Sequence, residues 1–321
     1  MLNIAVIGAG RIGRIHAGNI AAHPGARLAG IADPVAEAAQ SLASACNSSA
    51  ITLDEAFKAE AVLIASPTPT HADYIERAAA AGCAIFCEKP IDLSADRVRA
   101  CLAAVKRAGV RLMVGFNRRF DPHFASLKQR LAAGEIGRLE LLTITSRDPS
   151  PPPPSYVAAS GGLFRDMMIH DLDMARHLLG EEPVELFAAA SCLVDPGIGA
   201  AGDVDTATVT LKTGSGLLCV ITNSRRATYG YDQRIEIHGE KGLLKAGNMT
   251  ASTLVFADSR GFLTDPALPF FLERYAAAYR AELDSFISGA AAPTGEDGLA
   301  ALLLADAATE SAHTGRAIRL G

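Results

Sequence analysis

The chain has 321 residues, 49% hydrophobic and 20% charged, with a formal net charge of −5. That length allows two domains with sizeable cores. The acidic balance argues against nucleic acid or an anionic membrane as a partner, and no apolar run reaches the ~18 residues of a transmembrane helix.

The N-terminus, MLNIAVIGAG, enters a strand-like run with no basic leader, so no signal peptide is expected. Six cysteines, at 46, 83, 87, 101, 192 and 219, form no CxxC and no close Cys/His group of the zinc type. They read as buried thiols of a cytoplasmic protein.

Through residue 118, strand-like and helix-like runs alternate. NIAVIG, RLAGIAD, AVLIAS, AIFCEKP and RLMVGF read as strands, separated by helical runs such as AEAAQSLASA and SADRVRACLAAVKRAG. The strands are near-continuous apolar runs, as in strands buried on both faces, which predicts a doubly wound parallel sheet over residues 1–120. The pattern then changes. After the helix PHFASLKQRLAAGEIG come RLELLTITSRD, VELFAAASCLV, DTATVTLKTG, GLLCVITNSRRA, DQRIEIHGEKGLLKAG and STLVFAD, longer and alternating, with a hairpin turn at KTGSG. They predict an antiparallel sheet within a second domain, 121–321, with a helix at 164–179 inserted early and two helices closing the chain. The segment DPSPPPPS, 148–155, reads as extended and locally stiff.

IAVIGAGRIGRIHA carries Gly8, Gly10 and Gly13 as G-x-G-x-x-G. It follows a strand, opens a helix and is answered by Asp33 at the end of the second strand, the context of a dinucleotide site. Gly8 permits a tight turn, Gly10 the approach of a pyrophosphate, and Gly13 close helix–strand packing, with the helix N-terminus facing the phosphates. Arg11 and Ile12 belong to the same loop. The Asp33 carboxylate suits a ribose 2′-OH and repels a 2′-phosphate, which favours NAD over NADP; Arg11 is the residue that could reverse this.

Loops at carboxyl ends of parallel strands line the cofactor crevice. ASPTPTHADY therefore offers Ser66, Thr68 and His71 as cofactor contacts, or else a plain helix start with Thr70 as N-cap. CEKP places Glu88 and Lys89 at the same edge. Lys89 reads either as a partly desolvated catalytic lysine or as a surface lysine near a turn.

FRDMMIHDLDMARHLLG, 164–180, has an apolar helical face of Phe164, Met167, Met168, Leu172, Ala175 and Leu179. Asp166, His170, Asp173 and His177 share one side of that helix at i, i+4, i+7 and i+11. An imidazole titrates near neutral pH and suits the base that removes a hydroxyl proton as hydride leaves the same carbon. Asp166 can orient it or pair with Lys89. A metal site would need further ligands, and no second Asp/His/Glu cluster stands out, so none is expected. His177 reads as structural, and Asp171 as facing away from the stripe.

Together GAGRIGRIHA, CEKP, GFNRRFDP, SGGLFRDMMIHDLDMARHLLG and YGYDQRIEIHGEKG resemble the glucose–fructose oxidoreductase/inositol dehydrogenase family, along nearly the whole chain and most closely in its inositol branch. The resemblance implies a Rossmann domain that binds NAD, an α+β domain with an open, mainly antiparallel sheet, and a homotetramer formed through that sheet. It implies Lys89, Asp166 and His170 as the catalytic set, and Asn117 or Arg118, Asp148, Asp173, and Tyr229 or Tyr231 as contacts to a small polyol. The Pro-rich stretch becomes an active-site loop. An uncharged inositol needs many donors and acceptors, as these residues provide, although Arg118, Arg119 and Arg147 leave a sugar acid open. The alternatives are an aldose dehydrogenase of the same fold and a non-catalytic NAD-binding regulator.

Overall fold

The computed structural model describes residues 1–290 and 292–321 and divides into two units. The first comprises Met1–Phe120 and Ala278–Leu303; the second comprises Asp121–Ala277 and Leu304–Gly321. The division after Phe120 falls where the sequence pattern changes. The assignment of all of 121–321 to one domain is corrected: helix Ala276–Ser288 places Leu283 and Phe286 in the core of the first unit, with Ile4, Val6, Ile31, Leu63 and Phe86.

The first unit is built on five parallel strands, β1 (Leu2–Ile7), β2 (Ala26–Ala32), β3 (Ala61–Ile64), β4 (Ala84–Cys87) and β5 (Leu112–Val114). Their spatial order is β2-β1-β3-β4-β5. All four residues of β3 are buried, because helices cover both faces of the sheet. Strand order reverses between β1 and β3. At such a switch point the two loops leave the sheet in opposite directions and open a crevice at the strands' carboxyl ends.

The second unit carries β6 (Leu139–Arg147), β7 (Pro183–Ser191), β8 (Thr206–Thr213), β9 (Leu218–Ser224), β10 (Asp232–Gly239), β11 (Gly242–Ala246) and β14 (Ile318–Arg319). The sheet order is β11-β10-β6-β9-β8-β7-β14, and every neighbouring pair is antiparallel except β6–β9. Alternation sorts its faces. In β8, Ala207, Val209 and Leu211 are buried while Thr208, Thr210 and Lys212 are exposed. STLVFAD does not join this sheet. Among the described residues its Val255–Asp258 (β12) pairs only with Gly261–Thr264 (β13), in an exposed ribbon. A strand-like run does not say which strand it pairs with.

Helix Ile169–Leu179 packs on β6. It is preceded by a π-helical turn, Phe164–Met168. The expected apolar face, Phe164 to Leu179, is buried throughout. The Pro-rich stretch is not extended to its end, since Pro154–Ser160 forms a short helix with proline in its first turn.

Candidate active site

In the first unit the sequence motifs converge on one edge of the sheet. Gly8 follows β1, Asp33 β2, Ser66 β3, Glu88 and Lys89 β4, and Asn117 and Arg118 β5. The three glycines differ physically. Gly8 has φ 109°, and a β-carbon there would lie 2.6 Å from the Ala65 carbonyl. A β-carbon on Gly13 would lie 1.9 Å from Gly8 O. At Gly10 a β-carbon would meet no atom within 4 Å beyond the adjoining chain among the described residues. Gly8 and Gly13 are therefore required by the fold itself, whereas the space beside Gly10 is open. Gly10 is the N-cap of helix Arg11–Ala22, which has no side-chain cap and no acidic residue in its first turn. That leaves its N–H groups for an anion. Asp33 accepts from Ala9 N (2.7 Å) and Val35 N (2.8 Å), one bond to each oxygen. The carboxylate braces the glycine loop and keeps lone pairs for ribose hydroxyls. These residues fit a dinucleotide.

Two expected cofactor contacts have side chains that already engage protein groups. His71 is buried, with Nδ1 2.7 Å from Pro90 O and Nε2 2.7 Å from Ser66 O. Burial lowers its pKa, against the two carbonyls, which raise it. Both nitrogens are occupied in bridging the loop after β3 to the cis Lys89–Pro90 peptide. His71 thus positions the lysine loop. The alternative helix-start reading also changes: Thr70 is the N-cap, but its hydroxyl bonds Pro67 O (2.8 Å) and Ser66 Oγ (2.7 Å) and caps no helical N–H.

Glu88 is likewise turned inward, its Oε1 lying 2.8 Å from Nε2 of fully buried His16. Glu282 completes a cluster whose ligand atoms lie within 4.8 Å of one another. Neither Glu282 oxygen has a hydrogen-bond partner among the described residues, and burial, reinforced by the Glu88 charge, pushes its carboxyl well above the usual carboxylate range. Sequence spacing shows no such group, because its members come from residues 16, 88 and 282. Asn117 and Arg118 sit buried in a 3-10 turn, and Asn117 Oδ1 has no hydrogen-bond partner among the described residues. Arg119 pairs with Asp297 at 3.0 Å.

In the second unit Asp171 is fully buried and accepts from Ser146 Oγ (2.6 Å) on β6 and Asn223 Nδ2 (2.9 Å) on β9. This pins the helix to the sheet and fixes its rotation. Asp166, His170 and His177 are then half-buried and Asp173 buried. The Asp166 carboxylate takes Tyr156 OH on Oδ1 (3.0 Å) and both terminal nitrogens of Arg225 on Oδ2 (3.2 Å each). Arg225 also bonds Asp148 (3.3 Å). Tyr156 and Arg225 are missing from the sequence reading, since Arg225 lies 59 positions from Asp166 and no spacing rule joins them.

Of the two tyrosine candidates, Tyr231 is buried edge-on between Phe270 and Tyr275. Tyr229 donates to Asp232 (2.6 Å) and accepts from Arg147 (2.7 Å). Arg119 and Arg147 are therefore engaged by protein groups, which weakens the case for a sugar acid.

Residues 2–116 match the model of an oxidoreductase family with an NAD-binding Rossmann fold, and residues 124–245 match the GFO/IDH/MocA C-terminal domain. The chain belongs to the Gfo/Idh/MocA oxidoreductase family. It is 52% identical to the inositol 2-dehydrogenase of Rhizobium meliloti strain 1021, over 99% of each chain. A crystal structure of a myo-inositol dehydrogenase from Corynebacterium glutamicum shares 47% identity and a TM-score of 0.96, covering 100% of this chain and 99% of that one. The scyllo-inositol dehydrogenase of Lactobacillus casei, solved with NAD(H) and scyllo-inositol, shares 28% identity and a TM-score of 0.91, over 99% of each. The first unit is an NAD-binding Rossmann domain, and the protein is an oxidoreductase acting on a CH–OH group.

Proposed function

We propose that this protein oxidises a ring hydroxyl of an inositol, myo-inositol to its 2-keto product (scyllo-inosose), with NAD as acceptor. The observation that carries the reading is the second unit's polar wall. Asp166 is held by Tyr156 and Arg225 one turn before His170, in a chain 52% identical to an inositol 2-dehydrogenase. NAD supplies the two-electron acceptor. The alcohol loses its O–H proton to His170 and its C–H hydride to the nicotinamide, leaving a ketone and NADH. Lys89 stabilises the oxygen as negative charge develops on it. Asn117, Arg118, Asp148, Asp173 and Tyr229 supply donors and acceptors to the remaining hydroxyls. A homotetramer is supported by the open seven-stranded sheet, on which Leu141, Phe187 and Leu218 are exposed. Six free thiols support a cytoplasmic location, and no helix among the described residues is long and apolar enough to cross a membrane.

The test is NADH formation at 340 nm with myo-, scyllo- and D-chiro-inositol, D-glucose, D-xylose and D-galactose, each with NAD and with NADP. Preference for an inositol with NAD is expected. Preference for an aldose would overturn the substrate assignment. Lys89→Ala is expected to abolish turnover and leave NAD binding nearly intact; unchanged turnover would overturn the mechanism.

A further inference from the structure

The Asp166 carboxylate sits in an unusually complete setting. Arg225 follows β9 and is only 3% exposed. Its guanidinium lies against two carboxylates from different elements, Asp148 after β6 and Asp166 in the π-helical turn. Two nitrogens share Asp166 Oδ2, while Tyr156, on the short helix Pro154–Ser160, occupies Oδ1. Both oxygens of Asp166 are therefore directed by protein donors that approach from different elements.

The guanidinium itself is anchored by its own backbone. Arg225 N donates to Asp205 O (2.8 Å). The Asp205 side chain in turn accepts from Leu193 N, Val194 N and Asp195 N, at 2.8, 2.8 and 3.0 Å. Asp203, whose charge also reaches Arg225, accepts from Leu163 N at the start of the π-helical turn with both oxygens (3.1 and 3.0 Å). The turn that carries Asp166 and the strand end that carries Arg225 are thus tied to one loop, 193–205.

We infer that Arg225 is a positioning residue for Asp166. It fixes the carboxylate's rotamer and sets one cation against both Asp148 and Asp166, offsetting their like charges. The inference rests on the proposed function only in assigning Asp166 a part in the reaction.

The electrostatics agree in sign. Burial lowers the Arg225 pKa, and Asp166 and Asp148 together more than offset it, for a net rise. The titratable groups set against the pair include Asp148, Tyr156 and Asp203, and His170 lies one helical turn from Asp166 along the chain. Without the guanidinium, two carboxylates share a half-buried space with no cation from Arg225 between them. Like charges so placed raise one of the two carboxyl pKa values.

The experiment compares Arg225→Met and Arg225→Lys with the parent, all as full-length protein saturated with NAD. In Arg225→Met the acidic limb of the kcat pH profile is expected to move up by about one unit or more, with kcat down roughly 100-fold at neutral pH. Adding Asp148→Asn to that variant removes the like charge and is expected to return the limb toward its original position. Arg225→Lys keeps the charge and loses the planar fork, so the limb stays while kcat falls about 10-fold. Because Lys preserves the buried ion pair, it also serves if the Met variant fails to fold.

Asp carboxyl titration by ¹³C NMR, with the Asp166 signal assigned from Asp166→Asn, reads the same shift without any turnover. A parent inert toward every polyol, but with an Asp166 signal that moves in Arg225→Met, would overturn the proposed function and keep this inference. Unmoved limb and unmoved signal in folded Arg225→Met, or full kcat in Arg225→Lys, would overturn the inference.

Discussion

Gly8 and Gly10 are two residues apart, and the structure assigns them opposite consequences on replacement by alanine. At Gly8 the φ of 109° is a glycine conformation, and the new methyl would stand 2.6 Å from the carbon and oxygen of Ala65. Backbone strain of this kind costs about 1–3 kcal/mol, and the loops after β1 and β3 must separate as well. Gly8→Ala is expected to lower stability by roughly 3 kcal/mol. At Gly10 the backbone (φ −70°, ψ −171°) suits alanine, and among the described residues no atom beyond the adjoining chain lies within 4 Å of the new methyl. Alanine there also restricts the unfolded chain, which favours folding by about 0.4–1 kcal/mol. Gly10→Ala is therefore expected to unfold in urea at or slightly above the parent midpoint. Its methyl occupies the space through which a pyrophosphate approaches the helix N-terminus, so NAD affinity is expected to fall about 10- to 100-fold, or roughly 1.4–2.8 kcal/mol. Titration calorimetry with NAD and urea unfolding without it separate the two effects. Parent-like NAD affinity in Gly10→Ala would refute the assignment of this loop to the phosphates, and loss of stability in Gly10→Ala would refute the reading of its surroundings as open.

Asp171→Ala leaves Asn223 Nδ2 buried without its acceptor, while Ser146 keeps Gln233 Oε1 at 3.1 Å as an alternative. A loss of about 2–3 kcal/mol in urea unfolding is expected, and a change below about 0.5 kcal/mol would show that Asp171 does not pin the helix. Glu282→Gln tests the inward cluster. The folded state raises the Glu282 pKa, so it holds this proton more tightly than the unfolded chain does. The parent therefore loses stability as pH rises from the ordinary carboxyl pKa toward the raised folded value, at about 1.4 kcal/mol per unit, and the glutamine variant does not. The variant's Tm advantage is expected to be near zero at acid pH and to grow toward neutrality; an advantage independent of pH would contradict a protonated Glu282.

Much of this protein is legible in its residues alone, because the signals involved are local. The glycine loop, the buried strands and the apolar face from Phe164 to Leu179 each follow from sterics or periodicity within a few positions of one another. The hairpin at KTGSG belongs to the same class, since a short turn dictates that β8 and β9 pair. Contacts between distant segments follow no such rule. Val255–Asp258 reads as one more strand of the sheet yet pairs in an isolated ribbon. His71 looks like a crevice residue until two carbonyls claim its ring.

Helix Ala276–Ser288 reads as part of the second domain until Leu283 and Phe286 enter the first unit's core. Glu88 turns inward because His16, 72 positions earlier, supplies its partner. Most consequentially, Asp166 was visible as one member of a polar stripe, but the stripe's rotation is set by Asp171 on Ser146 and Asn223, and its charge is matched by Arg225. Periodicity states which side chains share a helix face. Only the folded chain decides what that face meets, because burying a carboxylate demands donors, and the chain brings them from wherever they lie.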